Sequence, residues 1–387
     1  MAYFRNNAVN LLNIHYAIHS IAMTGAGAFF AAYLFKAGVS VPGVFLTFAA
    51  ILTGRFLIRP MIIPLAARYG LRLLIILGTL LSALQYPLLA RVHGVGPALY
   101  GIVVIGSVAD TFYWPSYHAY FARVGDDEHR GHQISAREAV VALVGVVSPL
   151  LTGFLLVTFG PKIAFGITAG IVAIAAIPLL WTPAFRVANT APGAIRAALP
   201  GVLLFMGDGF TGGIYVFAWQ VALFLTLHEN FMAYGGALAL AAVVGAIGGL
   251  YLGRYIDNSG GRRAVFIACG SLGIVLLLRA AATHDPALAV FANAVSALGG
   301  CLYIPTVMTV VYTLAKGAPC TLRFHVATEA GWDLGGATGL LLAATLSWLG
   351  WPLWQILLLG LLGVTWQFVL LRGHYARRLA ASGGLAE

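Results

Sequence analysis

Charge is scarce in this chain of 387 residues: Asp, Glu, Lys and Arg make up 9% of it, while 60% is hydrophobic. A soluble domain coats itself in charge, so this scarcity excludes a water-soluble globule and makes hydrocarbon the outer solvent. Cysteine is scarce too. Cys269, Cys301 and Cys320 form neither a disulfide framework nor a metal-ligand spacing. No Gly-x4-Gly-Lys-Ser/Thr loop occurs, so nucleotide hydrolysis is not a direct energy source. The absence of any Asn-x-Ser/Thr sequon fits a bacterial inner (plasma) membrane. The formal charge of +10 forms no basic patch, which argues against nucleic acid as a partner.

Long apolar runs take the place of charge, among them Leu73–Leu89 and Ile163–Leu180. Each approaches the roughly 20 residues that span a bilayer as a helix. Membrane barrels are built from short alternating segments, and in lipid the backbone has no other solution than helix or closed barrel. The chain therefore reads as an all-α integral membrane protein. The first run, Val9–Phe35, is too long for a signal-peptide core and lacks a small-residue cleavage site, so it reads as a retained span.

Twelve spans are expected, at about 9–34, 42–66, 72–91, 97–121, 134–158, 162–181, 199–225, 232–256, 264–283, 287–314, 324–348 and 351–372. With the N-terminus inside, Lys36, Arg91, Lys162 and Arg279 fall outside and Arg55, Arg59 and Arg137 within spans. The remaining Lys and Arg are cytoplasmic, an inward bias that places both termini in the cytoplasm. The polar stretch 183–198 separates a bundle of six spans in 1–182 from a second in 199–387. Two short matches share one offset of 190: Tyr113-Trp-Pro115-Ser116 with Tyr303-Ile-Pro305-Thr306, and Ala67-Arg-Tyr-Gly70 with Asp257-Asn-Ser-Gly260. Pseudo-symmetric duplication follows.

The segment Gly253-Arg-Tyr-Ile-Asp257-Asn-Ser-Gly260-Gly261-Arg262-Arg263 resembles the cytoplasmic loop motif of the major facilitator superfamily. In that family a glycine, an aspartate four residues on, and then glycine and basic residues follow the second and eighth spans. The first-half copy departs from it, with Ile63 and Ala67 in the glycine and aspartate places. Gly145-Val-Val-Ser148-Pro149-Leu-Leu-Thr152-Gly153 in the fifth span resembles the glycine–proline motif of the family's antiporters, with Ser148 and Thr152 replacing glycines. The resemblance implies two rocking six-helix halves. It also implies a gating latch in which Gly253, Asp257 and Arg262 abut the start of the fifth span near Arg137 and Glu138; a structural ion pair is the alternative.

Ionisable groups inside spans are costly and usually face an internal cavity. Five of the twelve acids are so placed: Asp110, Glu138, Asp208, Glu329 and Asp333. At ~1.5 Å per residue, Asp208 and Asp333 lie roughly 13–15 Å from the cytoplasmic helix ends, near the midplane, with His19 at similar depth. Asp208 sits among glycines (Gly207, Gly209, Gly212, Gly213) that serve close helix contact or local unwinding. His325, Glu329 and Asp333 recur every four residues beside Trp332, which makes either a polar stripe for protons or a helix terminus accepting acids. His15 and His19 share a face, suited to protons, solute or a transition metal. Asp110, Tyr113, Trp114, Tyr117 and His118 offer polar-tipped aromatics for gripping an organic molecule, or ordinary helix packing. Arg55 and Arg59 read as snorkelling cations or an anion site.

The leading expectation is a secondary transporter, not an enzyme, exporting a small organic solute by proton antiport, as a monomer without cofactors. Alternatives are a divalent metal exporter, a non-transporting receptor, and an intramembrane metal enzyme, for which no second histidine cluster completes a ligand set.

Overall fold

The structure, a computed structural model, describes residues 6–124, 130–188, 190–257 and 261–383, except the side chains of 130–139, 250, 252–257 and 377–383. No strand occurs among the described residues. Twelve helical elements follow one another: α1 (Asn7–Lys36), α2 (Val41–Tyr69), α3 (Leu71–Leu89), α4 (Pro97–Val124), α5 (Arg130–Thr158) and α6 (Gly160–Trp181). After the linker come α7 (Ala194–Thr226), α8 (Phe231–Asp257), α9 (Gly261–His284), α10 (Pro286–Lys316), α11 (Thr321–Trp348) and α12 (Leu353–Ala376). Ten carry a stretch long and apolar enough to cross a bilayer. The other two, α4 and α11, have 28 residues each and are long enough but more polar, because Asp110 and His118 lie on one and Arg323, His325, Glu329 and Asp333 on the other.

Local chemistry marks the helix starts. Ser40 caps α2 through its hydroxyl, which accepts from the Gly43 amide at 3.3 Å. Asp285 caps α10, accepting from the Ala287 and Leu288 amides at 2.8 and 3.0 Å, with Pro286 in the first turn, where no amide hydrogen is needed. At the α2–α3 turn Gly70 has φ +85°, and a Cβ there would lie 2.8 Å from the Phe185 carbonyl oxygen. The same carbonyl accepts from the Leu71 amide at 2.9 Å, so the turn ties down the start of the linker.

Helices in lipid gain little from the hydrophobic effect on meeting each other, so close backbone approach carries the packing. The α7–α11 contact shows this most clearly. Gly331, Gly335 and Gly339 recur every four residues and present one small-residue face to α7. A Cβ on Gly335 would collide with the Met206 carbonyl, and one on Gly209 with the Trp332 carbonyl. Gly335→Ala is therefore expected to lower thermal stability in detergent by about 1–3 kcal/mol despite alanine's better helix propensity. A melting temperature equal to wild type would show that α7 and α11 can move apart without loss.

Further contacts repeat with a shift of six elements. The pairs α1–α5, α1–α6, α2–α4, α3–α4 and α3–α6 have counterparts α7–α11, α7–α12, α8–α10, α9–α10 and α9–α12. Contacts also join early to late elements, most extensively α2 with α11 and α5 with α8, and further α4 with α11 and α1 and α2 with α7. Two helices change pitch to a π turn, at Met23–Gly27 in α1 and Gly213–Ala218 in α7, starting 190 residues apart. Pro115 and Pro305 both lie inside continuous helices, α4 and α10.

Arg279 of α9, expected near the outer end of its span, is buried at 4% exposure. Its guanidinium donates to the Tyr215 carbonyl at 2.5 Å and the Ser296 hydroxyl at 2.7 Å, and covers the Tyr215 and Trp219 rings at 3.9 and 4.7 Å. A carbonyl within the α7 π turn and two aromatic faces hold the charge, so it does not snorkel out.

Candidate functional site

Arg55 and Arg59 stand one turn apart on α2, and Glu329 and Asp333 one turn apart on α11. Where these helices meet, the two cations face the two anions. Arg59 Nε donates to Asp333 Oδ2 at 2.7 Å, and its Nη2 meets the same oxygen. Arg55 Nε lies 2.9 Å from Asp333 Oδ1. Longer contacts of 3.7 and 3.8 Å run from Arg55 and Arg59 to Glu329 Oε2. From α4, Asp110 Oδ2 completes the network, 3.3 Å from Arg55 Nη1. The Asp333 and Arg59 side chains are 0% and 1% exposed, whereas Asp110 is 33% exposed. Two guanidiniums thus meet three carboxylates, a formal surplus of one negative charge, and the surplus acid is the most open one.

Asp208 on α7 lies in different surroundings. Its oxygens accept from Tyr303 at 2.7 Å, Gln367 at 3.2 Å and the Trp332 indole at 3.1 Å. Tyr303 also contacts the Gln367 side-chain oxygen. No cation pairs with Asp208 among the described residues: every donor it has is neutral. Trp332 separates the two clusters, its N–H on Asp208 and its ring 5.6 Å from the Arg55 guanidinium carbon.

His15 and His19 stack on α1 with ring centroids 5.8 Å apart. His15 Nδ1 is 2.7 Å from the Ala175 carbonyl and must donate to it; in the neutral ring Nε2 then accepts from the Tyr113 hydroxyl at 3.0 Å. His19 stacks on Tyr113 at 4.5 Å, and its buried Nδ1 has no hydrogen-bond partner among the described residues. The α4 face divides in two. Tyr113 and Tyr117 turn to α1, with Tyr117 against Tyr16 at 5.1 Å, while Trp114 and His118 stack on one another at 5.8 Å. His118 in turn lies 6.1 Å from His325 of α11.

A cavity of about 350 Å3 opens beside the ion network, lined from α1, α2, α3, α4 and α7. Arg55, Asp110, His19 and Trp114 reach it, together with Ser82, Gln85, Tyr86 and Gln220. Asp208 and Asp333 do not line it, although the sequence suggested one shared cavity; each lies behind Trp332 or Arg55. Sequence reasoning left Arg55 and Arg59 without partners and passed over Tyr303, Gln367 and Gln85. The matched four-residue spacings of Arg55/Arg59 and Glu329/Asp333 were the available signal. The latch expectation around Gly253, Asp257, Arg137 and Glu138 falls on side chains outside the described residues, and Arg262 is exposed.

The fold agrees with several solved transporters. An auto-inhibited POT family peptide transporter matches with a TM-score of 0.72 at 14% identity, over 96% of this chain and 97% of that one. The POT family transporter PepTSo matches at 0.68 and 11% identity, over 96% and 99%. A variant of the nucleoside transporter NupG matches at 0.68 and 12%, over 95% and 99%. No curated protein sequence matches the chain. The Major Facilitator Superfamily family model matches residues 12–318. With ten helices long and apolar enough to cross a bilayer among the described residues, and that match over most of its length, this multi-pass membrane protein belongs to the major facilitator superfamily.

Proposed function

We propose that the chain is a proton-coupled secondary transporter, exporting a small organic solute by alternating access between two six-helix halves, 1–182 and 199–387, joined by 183–198. The observation that carries the reading is the guanidinium–carboxylate network beside the central cavity, which ties α2 and α4 of the first half to α11 of the second. Such a contact can form in one state and break in another, as a rocking mechanism requires. Twelve spans follow if α4 and α11 cross as well; their polar residues face the interior cluster and not lipid.

The repeated contact pairs and the paired π turns support duplication. Asp208, held by neutral donors, is the proton-exchange site in this reading, and the Arg55/Arg59 network is the gate. Cytoplasmic termini rest on the charge bias, the inner-membrane location on the absence of a glycosylation sequon, and the export direction on the antiporter-like segment Gly145–Gly153; a monomeric state belongs to the same proposal. Among the described residues no group of three or more His, Cys, Asp or Glu is placed to hold a metal, so the metal-export reading gains no support.

The test is flux. Purified protein screened by thermal shift against metabolites, drugs and metals yields ligands, which are then followed in proteoliposomes under an imposed pH gradient. Solute movement against its own gradient, accompanied by proton movement, is the expected result. A ligand that binds yet never crosses would make the protein a receptor.

A further inference from the structure

The cavity has a charge preference that the family assignment does not supply. We infer that its solute is an organic monocation, bound with its charge on Asp110 and its carbon body among the cavity aromatics. The inference rests on the transport reading for its biology, but its chemistry stands on the binding site alone.

The charge count comes first. Arg55 and Arg59 are opposed by Asp110, Glu329 and Asp333, so the ionised network lacks one positive charge. The Arg55 guanidinium already lies within ion-pair range of three carboxylates: Nε 2.9 Å from Asp333, Nη1 3.3 Å from Asp110 and Nη2 3.7 Å from Glu329. An anion entering the cavity would therefore meet an occupied guanidinium backed by three acids. Asp110 is the opposite case. Its one polar contact among the described residues is the 3.3 Å approach of Arg55 to Oδ2, and its side chain is a third exposed, facing the cavity. A cation placed there supplies the missing charge in a low-dielectric site, where such an interaction is far stronger than in water.

The surroundings specify an organic cation and not a bare ion. Beside the polar side chains of Ser82, Gln85, Tyr86 and Gln220, the cavity is lined by Trp114 and by Phe48 and Phe217, whose rings stack 4.3 Å apart; aromatic rings attract a positive charge attached to an apolar body. A second, independent feature points inward as well. His19 lines the same cavity at 6% exposure, and its buried Nδ1 is without a hydrogen-bond partner among the described residues, a polar atom next to the cavity that nothing yet satisfies. The charged and titratable groups facing Asp110 are Arg55 and Arg59 on α2, Glu329 and Asp333 on α11, Tyr86 on α3 and His19 on α1. The surplus charge of this set can be met by a bound proton or by the solute's cation, and one excludes the other.

Three probes of similar size separate the possibilities in detergent-solubilised full-length protein: benzyltrimethylammonium, phenylmethanesulfonate and zwitterionic phenylalanine. Binding is read by tryptophan fluorescence and thermal shift. The cation is expected to bind at least about tenfold more tightly than either other probe, a difference of roughly 1.4 kcal/mol, and more tightly as pH rises. Its permanent charge keeps that pH dependence on the protein side. Asp110→Asn should remove the preference and the pH dependence, and Asp110→Glu should restore both, which separates a binding role from misfolding. Equal or tighter binding of the sulfonate or of phenylalanine overturns the inference, as does failure of the cation to bind or an unchanged preference in Asp110→Asn. The transport reading fails separately, if the cation binds with this selectivity but does not cross in proteoliposomes.

Discussion

Asp208→Asn is expected to abolish solute flux driven by a pH gradient, lowering its initial rate by at least about a hundredfold, while solute binding and counterflow persist. A hundredfold corresponds to roughly 2.7 kcal/mol of lost coupling. The expectation follows from what surrounds the carboxylate. Tyr303, Gln367 and Trp332 each donate to it, and no cation among the described residues shares its site. A buried charge without a counter-ion is costly in every state that excludes water, and a proton is the smallest ligand that removes it. Asparagine keeps the shape and an oxygen that can still accept from Tyr303 or Trp332, so the helix contacts should survive while the proton site does not. Counterflow needs no net proton movement and is the control for folding. Gradient-driven flux that persists in Asp208→Asn, and in the double variant with Asp333→Asn, would remove Asp208 from the coupling pathway.

The ranking of the two midplane acids comes from partners and not from depth. Both lie near the middle of their helices by residue count, and the sequence favours Asp208 only through the glycines that flank it. The structure separates them: Asp333 is fully buried between two guanidiniums, whereas Asp208 is held by neutral groups. Proton exchange suits the second environment. The first suits a contact that must be broken for the halves to move.

Helix existence and order were legible, because each span is a long apolar run ended by a cap, a glycine or a charge, all of them local signals. The ten helices apolar enough to cross a membrane coincide with expected spans, and the remaining two expected spans are the polar helices α4 and α11. Gly207–Gly213 was read as serving close contact or local unwinding. Close contact occurs, with Gly209 against the Trp332 backbone, whereas the helix does not unwind but passes into a π turn at Gly213. The site was less legible. Arg59 and Asp333 are 274 residues apart, and no periodicity links residues on helices whose mutual rotation is set by packing. The division of the α4 face has a similar origin. Tyr113 and Trp114 are neighbours in sequence, yet the first packs on His19 and the second lines the cavity, a split decided by where α1 and α11 sit.

Breaking the α2–α11 network from one side is expected to destabilise the protein more than removing both partners. Asp333→Leu leaves Arg55 and Arg59 buried against Glu329 and Asp110, whose contacts are all longer than 3 Å. The loss of a partner from a buried ion pair costs about 3–5 kcal/mol, mainly because the stranded charge stays desolvated. Arg59→Met should cost less, since Asp333 keeps Arg55 at 2.9 Å. In the double variant Arg59→Met, Asp333→Leu one guanidinium and one carboxylate leave together, and part of the stability should return as a positive coupling of roughly 1–3 kcal/mol. Melting temperatures of the four proteins in one detergent complete the cycle. Transport should not recover with stability: if the network is the proposed gate, the double variant is expected to bind solute and turn over slowly, because it lacks the ionic contact assigned to one of the two states. Additive losses in the cycle would mean that Arg59 and Asp333 do not act on each other. Wild-type turnover in the double variant would mean that the network is packing and not a gate.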